Sequence, residues 1–295
     1  MPSPLVANAP AKINLTLRVL GRRSDGYHDI ESLVVFARVG DRLTFARGAK
    51  FDLAMRGPTA ALAGDTGDNL VLKAARALSG RVKSLREGRF VLTKLLPVAA
   101  GLGGGSSDAA AALRLLARAN KLLPGDPRLF AAARATGADV PVCLDPRPRV
   151  MRGIGDVLSE PLDLPQLPAV LVNPGVAVAT KDVFIALARK PGEPMAAASL
   201  DPAIIPRKRD ELIAFLARQV NDLEPAAIKV EPTIGKVLAA LRALPGCRLA
   251  RMSGSGATCF ALFDTNAAAI SGARQLRVKK SRWWVRATVL GAAAE

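Results

Sequence analysis

Residues Gly101-Leu-Gly-Gly-Gly-Ser-Ser107 run without a break into Asp108-Ala-Ala-Ala-Ala-Leu-Arg-Leu-Leu-Ala-Arg118. The second half lacks β-branched residues and is rich in strong helix formers, so it reads as a helix starting near Ser107 or Asp108. The first half supplies glycines, which accept positive φ and let backbone N–H groups converge on phosphate oxygens. The helix start aims its own free N–H donors and positive dipole end at the same place. Ser106 and Ser107 add hydroxyls that can donate to phosphate or reach a magnesium ion. Upstream, Arg89 to Leu96 reads as a strand stopped by Pro97, so a strand delivers the chain to this loop. Two familiar phosphate loops do not fit. A Walker A loop needs a lysine after its last glycine, and none follows. A dinucleotide fingerprint needs glycine at the sixth position from Gly101, which is Ser106, and an acidic residue about 20 positions on, where Lys121 stands. The plain alternative is a glycine turn before a helix, but four glycines and two serines exceed what a turn requires.

Working outward, Lys12 to Leu20 alternates, with Lys12, Asn14 and Thr16 on one face and Ile13, Leu15 and Leu17 on the other, the period of a half-buried strand. Gly21 to Gly26 reads as a turn, and Ile30 to Ala37, Asp41 to Phe45 and Phe51 to Met55 as extended segments. Asp68-Asn69 caps an amphipathic helix from Leu70. Val170 to Asn173 is a buried-type strand, Ala250 to Phe263 a strand, glycine turn and strand, and Trp283 to Leu290 a last strand. This order predicts an α+β chain of two domains, 1–157 and 158–295, with a Pro- and Gly-rich junction near Arg147 to Pro168 and a Pro- and Ala-rich connection from Lys190 to Arg209.

Composition narrows the function classes. The chain has 295 residues, half of them hydrophobic, and only 4% aromatic, so Ala, Leu and Val must fill the core. No apolar run is long enough for a membrane span, and Met1 to Pro10 does not read as a signal peptide, which makes the cytoplasm the expected compartment. Cys143, Cys247 and Cys259 match no metal or disulfide spacing and read as small packing groups. Against 25 Asp and Glu stand 42 Lys and Arg, a net charge of +17 that attracts polyanions. The excess is spread along the chain with little aromatic interleaving, so a solvated surface that gathers anionic substrates fits better than a nucleic-acid interface.

Several segments together carry a resemblance. Pro97-Val-Ala-Ala-Gly-Leu-Gly-Gly-Gly-Ser-Ser-Asp108 resembles the ATP loop of the galactokinase, homoserine kinase, mevalonate kinase and phosphomevalonate kinase superfamily (GHMP kinases). Pro10-Ala-Lys-Ile-Asn-Leu15, Asp25-Gly-Tyr-His28, Gly137-Ala-Asp-Val-Pro141, Asn173-Pro-Gly175, Asn221-Asp-Leu-Glu224 and Met252-Ser-Gly-Ser-Gly256 stand in the order of its branch acting on diphosphocytidyl methylerythritol. The match spans roughly residues 8 to 265. Ala99 and Ala100 depart from it, standing where relatives often have glycine, and Lys181 stands where some have proline.

The resemblance implies an N-terminal domain whose β-α-β crossover carries the ATP loop, a ferredoxin-like C-terminal domain, and a site in the cleft between them. It implies ATP and Mg2+ as cofactors and a small cytidylyl substrate as partner, with no nucleic acid and no membrane. Asp139 is implied as the base, with Lys12 holding it ionised and offsetting phosphoryl charge. Pro97, Val98, Ala99, Ala100, Gly101, Leu102, Gly103, Gly104, Gly105, Ser106 and Ser107 are implied to hold the triphosphate, and Asn69, Leu70 and Lys94 to border adenine. Asn14 orients the substrate, Tyr27 stacks on cytosine, His28 bonds its edge, Phe184 covers the other face, and Thr180 meets the methylerythritol end. Ser253 to Gly256 reads either as a tight hairpin or as a brace for the ATP loop. Three rivals remain at this stage: another kinase of the superfamily, a basic nucleic-acid-binding protein, and, more distantly, a dinucleotide-dependent oxidoreductase.

Overall fold

In a computed structural model, which describes residues 3–193, 197 and 200–292, the alternating segment around Lys12 forms two strands rather than one. β1 (Leu5–Asn14) ends where β2 (Arg18–Arg22) has yet to start. Between them the Thr16 hydroxyl accepts from Leu33 N and its carbonyl from the Ser32 hydroxyl, so side chains replace the ladder. Both faces of this stretch are buried, Ile13 and Leu15 in a central core and Lys12, Asn14 and Thr16 against the opposite layer. The expected half-buried strand is thereby corrected: tertiary packing covers its polar face as well.

β3 (His28–Arg47) merges the two expected extended segments into one strand of 20 residues. It pairs with β1 along most of its length, and the register slips once, between Pro10 and Lys12. Such a bulge re-aims the next side chain, here Lys12, and it tolerates a proline that has no N–H to give. β4 (Asp52–Arg56), α1 (Leu70–Ser79) and β5 (Gly88–Thr93) follow, with β4 and β5 parallel, so the helix is the crossover of a β-α-β unit. Asn69 caps α1 by accepting from Val71 N at 2.9 Å. Beyond β5 lie the glycine loop and α2 (Gly104–Asn120), then α3 (Pro127–Thr136), α4 (Val140–Leu144), β6 (Arg149–Gly153) and the short β7 (Val157–Leu158).

The second half runs β8 (Leu167–Asn173), α5 (Thr180–Leu187), α6 (Arg209–Ala217), α7 (Glu224–Val230), α8 (Thr233–Arg242), β9 (Leu249–Met252), β10 (Cys259–Leu262), α9 (Asn266–Lys279) and β11 (Trp284–Gly291). Its four strands stand in the order β11-β8-β10-β9 and are all antiparallel, the arrangement of a split β-α-β. β11 also reaches β3, through Leu290 opposite Ala37 and Gly291 opposite Phe36, so one sheet runs through both halves. Part of the expected Lys190 to Arg209 connection, 194–196 and 198–199, lies outside the described residues.

Three apolar cores follow from this layering. One packs α1 to α4 on β1, β3 and β5, a second fills the junction of the halves, and a third packs α7 to α9 on β8 and β10. Alanines at 109–112 let α2 lie close on the sheet, which brings its N-terminus to the C-terminal end of β1. Cys143 and Cys259 are buried, and burial pushes the Cys143 thiol up to about 12 and that of Cys259 up as well, so both act as apolar packing groups. No helix among the described residues is long and apolar enough to cross a membrane.

Candidate active site

The helix after the glycine loop begins at Gly104, three to four residues before the expected start. Its cap is Gly103 at φ 58, so the glycines are partly absorbed into the first turn, where position overrides their low propensity. The N–H groups of Gly104, Gly105 and Ser106 have no acceptor within the helix, and no acidic side chain stands in that turn. This leaves an anion-ready helix start facing a cleft.

The loop is tied down on two sides. Lys12 N on β1 donates to Leu102 O at 2.8 Å. From the other half, the Ser253 hydroxyl donates to Gly101 O at 3.0 Å and Thr258 N to Ala100 O at 3.1 Å. Asn14 N in turn donates to the Ser253 hydroxyl at 3.1 Å. Asn221 holds the carbonyls of Met252 and Gly254, both at 2.9 Å, and Asn173 holds the Thr258 hydroxyl at 3.0 Å. Ser253 to Gly256 therefore braces the glycine loop, and the motif asparagines brace the brace.

Two expected loop contacts are corrected. Ser107 is fully buried, its hydroxyl donating to Pro10 O at 2.6 Å and its N–H to Gly103 O, so neither is free for phosphate. Leu102 turns into the central core. Ser106 and the remaining loop residues from Pro97 to Gly105 line the cleft.

That cleft is a cavity of about 1080 Å3 between the two halves. Lys12 and Asp139 meet in it, with Nζ 2.9 Å from Oδ2 and side-chain exposures of 5% and 35%. Asp139 sits at the cap position of α4 but its carboxylate caps nothing, which leaves it free for the cleft. Asn14 donates from Nδ2 to the Ser32 hydroxyl at 2.7 Å, while its Oδ1 is buried with no partner, an acceptor in want of a donor. Thr180 shares a hydrogen bond of 2.9 Å with Ser255, so the start of α5 is tied to the bracing motif.

Asn69, Leu70 and Lys94 lie on the same cavity wall. Lys94 donates to Asp41 and, at 2.8 Å, to Asp108 in α2, while Asp41 also accepts from Leu95 N and Leu96 N. This buried triad pins β5, β3 and α2 to one point under the loop. Burial pushes the Asp108 carboxyl up to about 7, with Lys94 opposing and Asp41 adding to the rise. Nothing in the sequence marks the triad, because its members are 14 and 53 positions apart.

At the far end, the turn before β3 presents Tyr27, 61% exposed, with Tyr27 N donating to Asp25 and Arg23 N to Tyr27 O. His28 stacks on Phe184 with ring centroids 4.5 Å apart. Phe184 thus rests on His28, where the resemblance implied a ring facing Tyr27. His28 Nε2 is buried without a partner. Burial, and then Arg22 and Arg189, lower its proton affinity, so near neutral pH the ring is neutral and offers one donor and one acceptor. Arg22, Lys181 and Arg189 line this end as well, and the sequence reading assigned none of them a role.

Ala99 carries the visible strain of the loop: it is exposed, at φ +50. Left-handed backbone costs a non-glycine residue about 1–2 kcal/mol, partly offset by the extra unfolded-state entropy of glycine. Ala99→Gly is expected to raise the thermal midpoint by a net gain of up to about 1 kcal/mol with kcat unchanged. A lowered midpoint would contradict this.

Comparison with known proteins gives a consistent picture. The model of the GHMP kinases N terminal domain matches residues 69–145, and that of the GHMP kinases C terminal region matches 206–280. The chain is 57% identical over 295 residues to 4-diphosphocytidyl-2-C-methyl-D-erythritol kinase of Rhodopseudomonas palustris strain HaA2, across 97% of this chain and 99% of that one. It is 59% identical over 288 residues to the protein of that name from Xanthobacter autotrophicus, across 96% and 98%. Among solved structures, a 4-(cytidine 5'-diphospho)-2C-methyl-D-erythritol kinase superposes with a TM-score of 0.74 at 36% identity, over 98% of this chain and 100% of that one. A homoserine kinase from Cytophaga hutchinsonii shares the fold, with a TM-score of 0.69 at 19% identity, over 99% and 96%.

Proposed function

Because the chain belongs to the 4-diphosphocytidyl-2-C-methyl-D-erythritol kinase family of the GHMP kinases, we propose that Lys12, Asp139 and the loop from Pro97 to Ser106 perform its phosphoryl transfer. It is an ATP-dependent small-molecule kinase of isoprenoid synthesis, moving the γ-phosphate of ATP onto the 2-hydroxyl of 4-diphosphocytidyl-2-C-methyl-D-erythritol. The proposed division at 157/158 gives the ATP loop to one domain and the bracing motif to the other, with the cytidylyl substrate between them.

The observation that carries the assignment is the Lys12–Asp139 pair at 2.9 Å, in the cavity that the glycine loop also lines. Phosphoryl transfer asks for positioning, charge neutralisation and an acceptor for the hydroxyl proton. One Asp139 oxygen engages Lys12, and the other is left for the substrate hydroxyl. Lys12, nearly buried beside the loop, offsets charge on the phosphoryl group in flight. The free N–H groups of Gly104, Gly105 and Ser106 take the triphosphate oxygens.

Magnesium fits this site as a passenger of the nucleotide. Among the described residues no group of three or more His, Cys, Asp or Glu could hold a metal by itself. Phosphate oxygens would supply most of its shell, with the Ser106 hydroxyl, which lines the cleft, able to complete it. When bound, it would neutralise charge on the triphosphate.

Asn69, Leu70 and Lys94 form the proposed adenine border. Tyr27, His28 and Phe184 form the proposed cytosine end, with the unpartnered His28 Nε2 meeting the base and Asn14 and Thr180 meeting the methylerythritol. The proposed compartment is the cytoplasm, and the basic surface serves to gather anionic substrates, not nucleic acid. Tyr27→Ala is expected to raise the KM for the cytidylyl substrate by about tenfold, the value of one aromatic contact, with the KM for ATP little changed. A larger effect on ATP in steady-state kinetics would reverse the two pockets.

A further inference from the structure

We propose that Arg22 and Arg189, one from each side of the cleft, clamp the diphosphate bridge of the cytidylyl substrate. Arg22 lies at the end of β2, directly opposite His28 in the β2–β3 register. Opposed residues of an antiparallel pair point to the same face, so its guanidinium shares the face of His28. Arg189 follows Ala188, the residue at φ +58 that ends α5, the helix whose Phe184 stacks on His28. Both arginines line the cleft, and both depress the proton affinity of His28, which places two positive charges near that ring.

These charges are poorly spent within the protein. Arg22 Nε is buried without a partner, an arrangement that costs free energy unless something else accepts from it. Among the described residues Arg189 pairs with Glu193, at 3.6 Å and with side chains 41% and 35% exposed, a pairing that a bound anion can displace. A guanidinium is the side chain best matched to phosphate, since its forked donors can engage two oxygens together. The substrate supplies the phosphates at this place. With its base against His28 and its reacting hydroxyl at Asp139, the diphosphate leaves the base at the end of the cleft that the two arginines line. This rests on the reading that puts the cytosine at His28 and Phe184, and it adds two specificity-determining residues to that reading. A kinase whose acceptor has no diphosphate needs neither arginine.

The test is calorimetric titration of CDP and of cytidine, with the nucleotide site filled by ADP, into the parent protein, Arg22→Gln, Arg189→Gln and the double variant. The parent is expected to bind CDP at least about tenfold tighter than cytidine, the worth of a charge-assisted hydrogen bond. Each single variant is expected to cut that advantage several-fold and the double variant to abolish it, with the cytidine Kd unchanged throughout. Arg22→Lys should restore part of the advantage, because the charge returns without the fork. If cytidine binds the parent and the CDP advantage survives in the double variant, the clamp is wrong and the cytosine pocket stands. If cytidine does not bind the parent at all, the cytosine reading falls and the clamp falls with it.

Discussion

Turnover of the Asp139→Ala variant is expected to fall by about 10²–10⁴-fold, the usual worth of a positioned proton acceptor, with the Kd for ATP within a few-fold of the parent. The separation of the two effects follows from where the groups sit. The proposed triphosphate site is the start of α2 and the loop, whereas Asp139 stands at the start of α4. In the proposed mechanism this carboxylate takes the proton of the acceptor hydroxyl, and its ion-pair partner among the described residues is Lys12. Removing it also strands the Lys12 ammonium, which is 95% covered, so some loss of stability accompanies the loss of rate. Asp139→Asn controls for this, because the amide keeps the shape and can accept one hydrogen bond from Lys12. Single-turnover kinetics with both variants would show the slow step in chemistry, not in nucleotide binding. Normal turnover in either would remove Asp139 from the mechanism.

Gly101→Ala is the second large effect expected, this time on the nucleotide. A Cβ at Gly101 would stand 2.4 Å from Ser253 O and 2.8 Å from Gly256 O, at a φ of +72. The left-handed backbone costs about 1–2 kcal/mol for alanine, and the overlap with backbone oxygens adds about 1–3 kcal/mol. The loop is held to the bracing motif by few hydrogen bonds, each worth about 1 kcal/mol net. The cheaper escape is therefore for the loop to leave its brace, which dismantles the cradle before the protein unfolds. We expect the KM for ATP to rise at least about tenfold, a loss of 1.4 kcal/mol or more, while the cytidylyl substrate binds as before. Gly125→Ala, where a Cβ would meet nothing within 4 Å, should change neither. An unchanged KM for ATP in Gly101→Ala would mean that the brace does not shape the loop.

Much of this site can be read in the chain because its chemistry is local in sequence. The run from Pro97 to Ser106 carries its own strand stop, glycines and helix, and the turn at Asp25 to Tyr27 carries its own cap. Asn69 caps α1 as Asn before a leucine-rich run should. What the sequence hides is set by packing at a distance. The start of α2 moves back to Gly104 because β1 and the second half hold the glycines in place, which no propensity scale contains. Lys12 and Asn14 read as a solvated face until α2 and the Ser253 motif bury them. Ser107 reads as a phosphate donor until the Pro10 carbonyl, 97 positions away, takes its hydroxyl. Arg22 and Arg189 are ordinary members of a basic chain until the fold brings both near one histidine in the cleft.

The measurement that tests the account most directly is ADP release with Mg-ATP, comparing 4-diphosphocytidyl-2-C-methyl-D-erythritol, homoserine and mevalonate as acceptors. Turnover with the cytidylyl compound alone is the predicted result, since only that acceptor can fill the end lined by Tyr27, His28 and the two arginines. Turnover with homoserine or mevalonate at a comparable kcat/KM would contradict the account.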